Sequence, residues 1–188
     1  MFWFLIRLTA TNLAREKNNS RQPSHCLGDI LTVKVGDKAP DFTLPSQMGD
    51  NVTLSEYLGK KNIVLYFYPK DETPGCTTEA CSFRDSYEDL ASLGAEVLGV
   101  SGQSVASHKS FATHYGLPFI LLSDKDNRVR KLYDVPSTMG LIPGRVTYII
   151  DKKGVVRHIF NSQTQTRQHV EEAKATLKEL EKEQQAVI

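Results

Sequence analysis

Long apolar runs are missing from this chain, and so is any surplus of charge. No stretch approaches the roughly 20 consecutive apolar residues that a bilayer-spanning helix requires, so no membrane partner is expected. Lysine and arginine number 23 against 22 aspartates and glutamates, a formal net charge of +1. Such balance offers no field to hold nucleic acid or an anionic surface, and a small substrate or a protein is the expected partner. Cysteine is scarce: Cys26, Cys76 and Cys81 are odd in number and unevenly spaced, which excludes a secreted disulfide scaffold. There is no Cys-x-x-Cys pair, no internal repeat and no low-complexity tract. Neither His108 nor His114 pairs with Cys26 or His25 at zinc-ligand spacing. His108 and His114 lie six apart, share no helix face, and read as exposed helix residues. Asp124–Asn127 lacks the later glycine and glutamate of a calcium loop and reads as a turn.

What is present suits one domain of ordinary size. The 188 residues are 40% hydrophobic, enough for a core that needs no covalent staples. Residues 1–32 stand apart as a leader or disordered extension, with the compact domain expected over 33–188. The run Met1–Ile6 is apolar but short, and no positive segment precedes it, so a signal peptide is not expected. Arg7 to Arg21 carry several basic groups and only Glu16 as an acid, a mildly transit-peptide-like pattern. The expected compartment is the cytoplasm, with the plastid as the alternative if this leader is a transit peptide. Cys26 falls in the leader and reads as an incidental thiol.

Strand and helix patterns alternate along the domain. Asp41–Leu44 and Val52–Leu54 flank a Gly49-Asp50 turn as an N-terminal hairpin. Asn62–Tyr68 is a continuous apolar run rich in β-branched and aromatic residues, as a strand buried on both faces requires. Pro69 ends it, having no N–H for the ladder. Thr73 and Pro74 open a helix as N-cap and first helical residue. Cys76, Ala80, Phe83, Tyr87 and Leu90 then form its apolar face up to Gly94. Further strands are expected at Glu96–Val100 and Phe119–Leu122, with helices over Val105–Tyr115 and around Val129–Tyr133. A hairpin of Val146–Ile150 with Val155–Phe160 follows. Val170, Ala173, Leu177 and Leu180 mark the inner face of a charged C-terminal helix. The order implies an α/β domain of thioredoxin-like fold: a central mixed β-sheet flanked by α-helices, preceded by the hairpin.

Two cysteines carry the chemistry. Cys76 falls in the first helical turn, just past a strand end, where unpaired amides and the helix dipole favour a thiolate. Cys81 follows five residues later. On an ideal helix that offset places the Cα atoms roughly 8.6 Å apart, beyond the roughly 7 Å reach of a disulfide. The two can bond only if the helix unwinds, which suits a transient disulfide and not a structural one. The first thiolate is therefore free to meet a small oxidant before the second arrives. Burial as a small hydrophobe is the alternative for Cys76, since it lies on the apolar face.

Pro69-x-x-x-Thr73-x-x-Cys76 resembles the active-site signature of the peroxiredoxins, and the spacing to Cys81 resembles the bacterioferritin-comigratory-protein or peroxiredoxin Q subgroup. The likeness runs from about Val35 to Leu180 and includes Pro143-Gly-Arg145-Val-Thr-Tyr148. It implies that Cys76 attacks a hydroperoxide and becomes a sulfenic acid, with Arg145 against the thiolate. Thr73 would orient the peroxide and Pro69 would shield the pocket. Cys81 would resolve the sulfenic acid as an intramolecular disulfide, which thioredoxin or a similar dithiol would reduce. No cofactor or metal is implied, and a monomer suffices. The alternatives are a protein thiol–disulfide oxidoreductase, against which the missing Cys-x-x-Cys speaks, and a redox sensor.

Overall fold

The computed structural model describes residues 33–138 and 142–186. The expected leader, with Cys26, lies outside the described residues. Short strands β1 (Thr43–Pro45) and β2 (Asn51–Thr53) pair antiparallel as the N-terminal hairpin, and a 3-10 turn (Leu54–Tyr57) follows. The central sheet comprises β3 (Asn62–Phe67), β4 (Ala95–Ser101), β5 (Ile120–Ser123), β8 (Val146–Ile150) and β9 (Val156–Asn161). Their spatial order is β5-β4-β3-β8-β9, with β3, β4 and β5 parallel and β8 and β9 antiparallel. Between β5 and β8 come α4 (Arg128–Leu132) and a small ladder of β6 (Ser137–Thr138) with β7 (Ile142–Pro143). The other helices are α1 (Pro74–Asp85), α2 (Tyr87–Ser92), α3 (Val105–Tyr115) and α5 (Gln168–Gln185).

Every residue of β3 and β4 is buried, which explains why their sequences are mostly apolar and not alternating, with the polar Asn62, Glu96 and Ser101 at or next to the strand ends. Alternation instead decides which core each side chain enters. Val64, Tyr66 and Tyr68 join the core under α1, α2, α3 and α5, with Phe83, Leu90, Phe111 and Leu177. Ile63, Leu65 and Phe67 face the opposite core, with the N-terminal hairpin and with Val129 and Tyr133 around α4. The mixed sheet with helices on both faces is thus as expected, but the faces are unequal: four helices cover one and a single short helix the other.

Two expectations need correction. The helix starting at Pro74 does not run to Gly94; it breaks at Ser86, which caps α1 and begins α2. Serine competes with helical hydrogen bonding through its own hydroxyl, and here Lys174 Nζ holds that hydroxyl from α5. His108 is not an exposed helix residue but fully buried, whereas His114 is exposed as expected. The spacing argument placed the two histidines on different faces, and one of those faces is the core.

Tyr66 stacks on Phe83 (centroids 4.7 Å apart) and lies over Gly99, its partner in the β3–β4 register. A Cβ at Gly99 would come within 2.7 Å of the Tyr66 ring and 2.8 Å of Leu121. Gly99 is therefore the cavity into which the tyrosine packs. Gly99→Ala is expected to lower unfolding free energy by about 1–3 kcal/mol through overpacking. Urea denaturation monitored by circular dichroism measures it; an unchanged midpoint refutes the packing role.

Candidate active site

Tyr68 ends the buried run of β3, and Pro69 follows it half-buried. Four residues, Lys70 to Thr73, then carry the chain into α1. Glu72 adopts a left-handed backbone (φ 58°) and Thr73 returns to extended geometry as the N-cap. Pro74 occupies the first helical position with its fixed φ and absent N–H. The first bond within the helix runs from Thr77 N–H to Thr73 O (2.8 Å), so the preceding amides form the unpaired positive end. Cys76 sits in this turn, and its residue is only 2% exposed. Thr73 does not cap the helix with its side chain. Its hydroxyl donates to Lys70 O instead (3.0 Å), which leaves the oxygen lone pairs as acceptors.

Arg145 arrives from the neighbouring strand. The β3–β8 register pairs Phe67 with Val146, so Arg145 enters beside Tyr68, on the same sheet face as Thr147 and Ile149. Its Nη2 donates to Cys76 Sγ at 3.3 Å. Gly75 permits that approach, because a Cβ there would lie 3.3 Å from Arg145 Nη2. The structure brings Arg145 onto Cys76, with Thr73 three residues before the sulfur as N-cap of the same helix and Pro69 at the head of the same loop. Cys81 is not brought there. It lies within the unbroken α1, partly exposed, and both cysteines are free thiols.

A layer behind the arginine was not foreseen. Glu79, with no exposure, accepts a short hydrogen bond from Arg145 Nη1. Burial pushes the Glu79 carboxyl up to about 8, although Arg145 pulls the other way. His169, also fully buried, places Nδ1 3.6 Å from Glu79 Oε1. Its Nε2–H donates to Ser162 O (2.9 Å), so Nδ1 is the acceptor for the Thr147 hydroxyl (2.7 Å). That tautomer is neutral, and burial lowers the His169 pKa to about 4, with the nearby Arg145 charge acting in the same direction. Burial also opposes the charge on Arg145, but Glu79 and Cys76 outweigh it and raise the guanidinium above its ordinary value. The signal for Glu79 was present: it stands three residues after Cys76 and four before Phe83, a carboxylate on an otherwise apolar helix face.

Arg130 joins the two chain segments that build the site. Its Nη1 donates to Gly144 O and its Nη2 to Tyr68 O, both at 2.8 Å, while Cζ lies 5.7 Å from the centre of the Phe67 ring. The residues just before Arg145 and just before Pro69 are therefore tied through one buried guanidinium. Gly144 cannot be replaced, since a Cβ would fall 2.0 Å from Pro136 O.

The AhpC/TSA family matches residues 35–159. The chain belongs to the AhpC/TSA family, in its peroxiredoxin Q branch. Peroxiredoxin Q, chloroplastic, of Triticum aestivum is 57% identical over 141 residues, 74% of this chain and just under two-thirds (64%) of the wheat protein. The Sedum lineare protein of the same name is 53% identical over 149 residues, 79% of this chain and 80% of that one. A structure of Xanthomonas campestris bacterioferritin comigratory protein, described for its alkyl peroxide reduction activity, superposes with a TM-score of 0.71 at 30% identity. The superposition covers 81% of this chain and 99% of the Xanthomonas chain. The AhpC/TSA match thus contains the whole Pro69–Cys81 segment and Arg145.

The raised Glu79 carboxyl has a thermodynamic consequence. The folded state holds that proton where the unfolded chain, with an ordinary value of 4.5, has lost it. The stability that this one group contributes is therefore complete below pH 4.5 and is lost progressively as pH rises towards about 8. Glu79→Gln, uncharged at every pH, is expected to remove this decline. Chemical denaturation at pH 5, 6.5 and 8 tests it: a wild-type slope retained in the variant refutes the assignment.

Proposed function

We propose that this chain is a thiol peroxidase that reduces hydroperoxides through Cys76, and the Arg145 Nη2–Cys76 Sγ contact of 3.3 Å carries the reading. A helix N-terminus and a guanidinium converge on one buried sulfur, the surroundings that favour a thiolate. The thiolate attacks the terminal oxygen of hydrogen peroxide or an organic hydroperoxide. The O–O bond breaks, the alkoxide or hydroxide leaves and takes a proton, and Cys76 becomes a sulfenic acid. Arg145 stabilises the charge that develops on the separating oxygens. Thr73, whose own proton is committed to Lys70 O, accepts a hydrogen bond from the peroxide O–H. Pro69 covers the approach at the end of β3.

Cys81 then attacks the Cys76 sulfur, water leaves, and an intramolecular disulfide forms. The reduced helix keeps the two residues apart, so residues between Pro74 and Cys81 unwind in this step. Thioredoxin or a similar dithiol reduces the disulfide by exchange. The cycle needs only the peroxide, the two thiols and that reductant, and is complete within one monomer. Residues 33–188 are the catalytic domain in this reading. The chloroplastic relatives favour the plastid over the cytoplasm, with residues 1–32 as a transit leader, which N-terminal sequencing of the mature protein checks.

Peroxide consumption coupled to thioredoxin, thioredoxin reductase and NADPH tests the cycle. Cys76→Ser is expected to abolish turnover, and full retention of activity overturns the proposal. Cys81→Ser consumes a single equivalent of peroxide and then stalls with thioredoxin; normal steady-state turnover would move the resolving role to another thiol. Arg145→Gln lowers kcat/KM by roughly 10²–10³-fold, the usual cost of losing a donor to a developing oxyanion. A change below about twofold removes Arg145 from the mechanism.

A further inference from the structure

Two consecutive carboxylates of the loop before Cys76 are bound along the length of α3, and the chemistry proposed above uses neither. Asp71, nearly fully buried, accepts hydrogen bonds from Tyr68 Oη (2.7 Å), Ser107 Oγ (2.6 Å) and His108 Nδ1 (3.0 Å). The other ring nitrogen of His108 faces Leu122 O at 3.2 Å. Both ring nitrogens of His108 thus meet oxygen atoms, and the ring bridges the Cys76 loop to the end of β5. Glu72 reaches the far end of the same helix, accepting from His114 Nδ1 (3.2 Å) and Tyr115 Oη (3.1 Å). It does so from a left-handed backbone that non-glycine residues seldom adopt. The helix they grip is firmly set. Ser104 caps it by accepting from Ser107 N–H (3.2 Å), Phe111 is buried in the core, and Gly116 closes it in the left-handed region.

These anchors fall one and two residues before Thr73, the N-cap of the helix that must unwind for Cys76 to meet Cys81. The far end of α1 is held as well, with Phe83 in the core and Arg84 Nη1 donating to Tyr115 O (2.8 Å). Tyr115 thus reaches the loop before α1 through its hydroxyl and the C-terminal end of α1 through its carbonyl.

We propose that α3 is a latch on the Cys76 loop, acting through Asp71 and Glu72 to set how fast α1 unwinds after Cys76 is oxidised. The latch rests on the peroxidase reading. Its output is a choice between two fates of the sulfenic acid. In one, the Cys81 thiolate attacks the Cys76 sulfur; an S–S bond forms, the S–O bond breaks, and hydroxide leaves as water after protonation. In the other, the folded sulfenate attacks a second peroxide, gains its terminal oxygen as the O–O bond breaks, and becomes a sulfinic acid while water or alcohol departs. A tight latch prolongs the folded state and favours the second fate; a loose one favours the disulfide. Asp71, Glu72, Ser107, His108 and Tyr115 are positioning residues here and touch neither peroxide nor sulfur.

The double variant Ser107→Ala/Tyr115→Phe removes one hydrogen bond from each arm and leaves the Asp71–His108 pair in place. After one equivalent of hydrogen peroxide, acid quench and mass spectrometry follow the disulfide. Its formation is expected to accelerate by roughly five- to hundredfold, the scale of losing two ordinary hydrogen bonds. The peroxide concentration giving half sulfinic acid rises in proportion, and amide exchange over residues 77–81 quickens. The rate of Cys76 with peroxide changes by less than about twofold. A variant that merely loosened the fold would lose peroxide reactivity without shifting the partition, and that result overturns the latch. So does an unchanged disulfide rate. Should the double variant fail to fold, Tyr115→Phe alone carries the same expectation at smaller amplitude. A wild type that consumes no peroxide overturns the peroxidase reading and the latch together; an active wild type with an unshifted variant overturns the latch alone.

Discussion

The site depends on a single buried contact, the guanidinium of Arg145 against the sulfur of Cys76. A cation so deeply enclosed is costly unless anions and acceptors surround it. Much of the neighbouring architecture answers that requirement. Glu79 takes one arm of the fork, the thiol sulfur takes the other, and Gly75 withdraws its side chain so that the fork can come close. Behind Glu79, the neutral His169 and the Thr147 hydroxyl form a polar wall that is itself hydrogen-bonded, ending on Ser162 O. Charge is thus concentrated at the sulfur and its immediate partners, in surroundings where solvent screens little.

In the proposed cycle the helix carrying Cys76 serves two purposes that pull against each other. As a helix it provides the dipole end that suits a thiolate, and it fixes the sulfur beneath Arg145. By the same regularity it keeps Cys81 out of reach. The fold resolves this with asymmetric anchoring. The C-terminal half of α1 is packed into the core by Ala80 and Phe83, while its N-terminal approach is held by polar bonds that water can replace. Local opening is cheapest where few apolar contacts must be surrendered, and that is the Cys76 end.

Much of this was legible in the residues. The run Asn62–Tyr68 named the central strand and Thr73-Pro74 named the helix start, because buried strands and helix caps leave local signatures. The expected meeting of Thr73, Cys76 and Arg145 came from the motif and its resemblance, since nothing local says that residues 69 apart in sequence converge. The break at Ser86 was missed because the apolar spacing continues across it and only a lysine on α5 distinguishes it. His108, Asp71 and Arg130 were missed for a related reason. Polar residues that satisfy one another inside a protein look, in sequence, like polar residues at the surface.

Arg130 carries one more implication, and it concerns time. The guanidinium bridges Tyr68 O and Gly144 O, and Arg145 reaches its sulfur from the strand that pairs with β3 last in chain order. No segment shorter than residues 62–150 contains both sides of that pairing. A growing polypeptide therefore carries Cys76 long before Arg145 has been made, and the contact between them can form only once β8 has paired with β3. The completed site is in this sense a mark of the completed sheet.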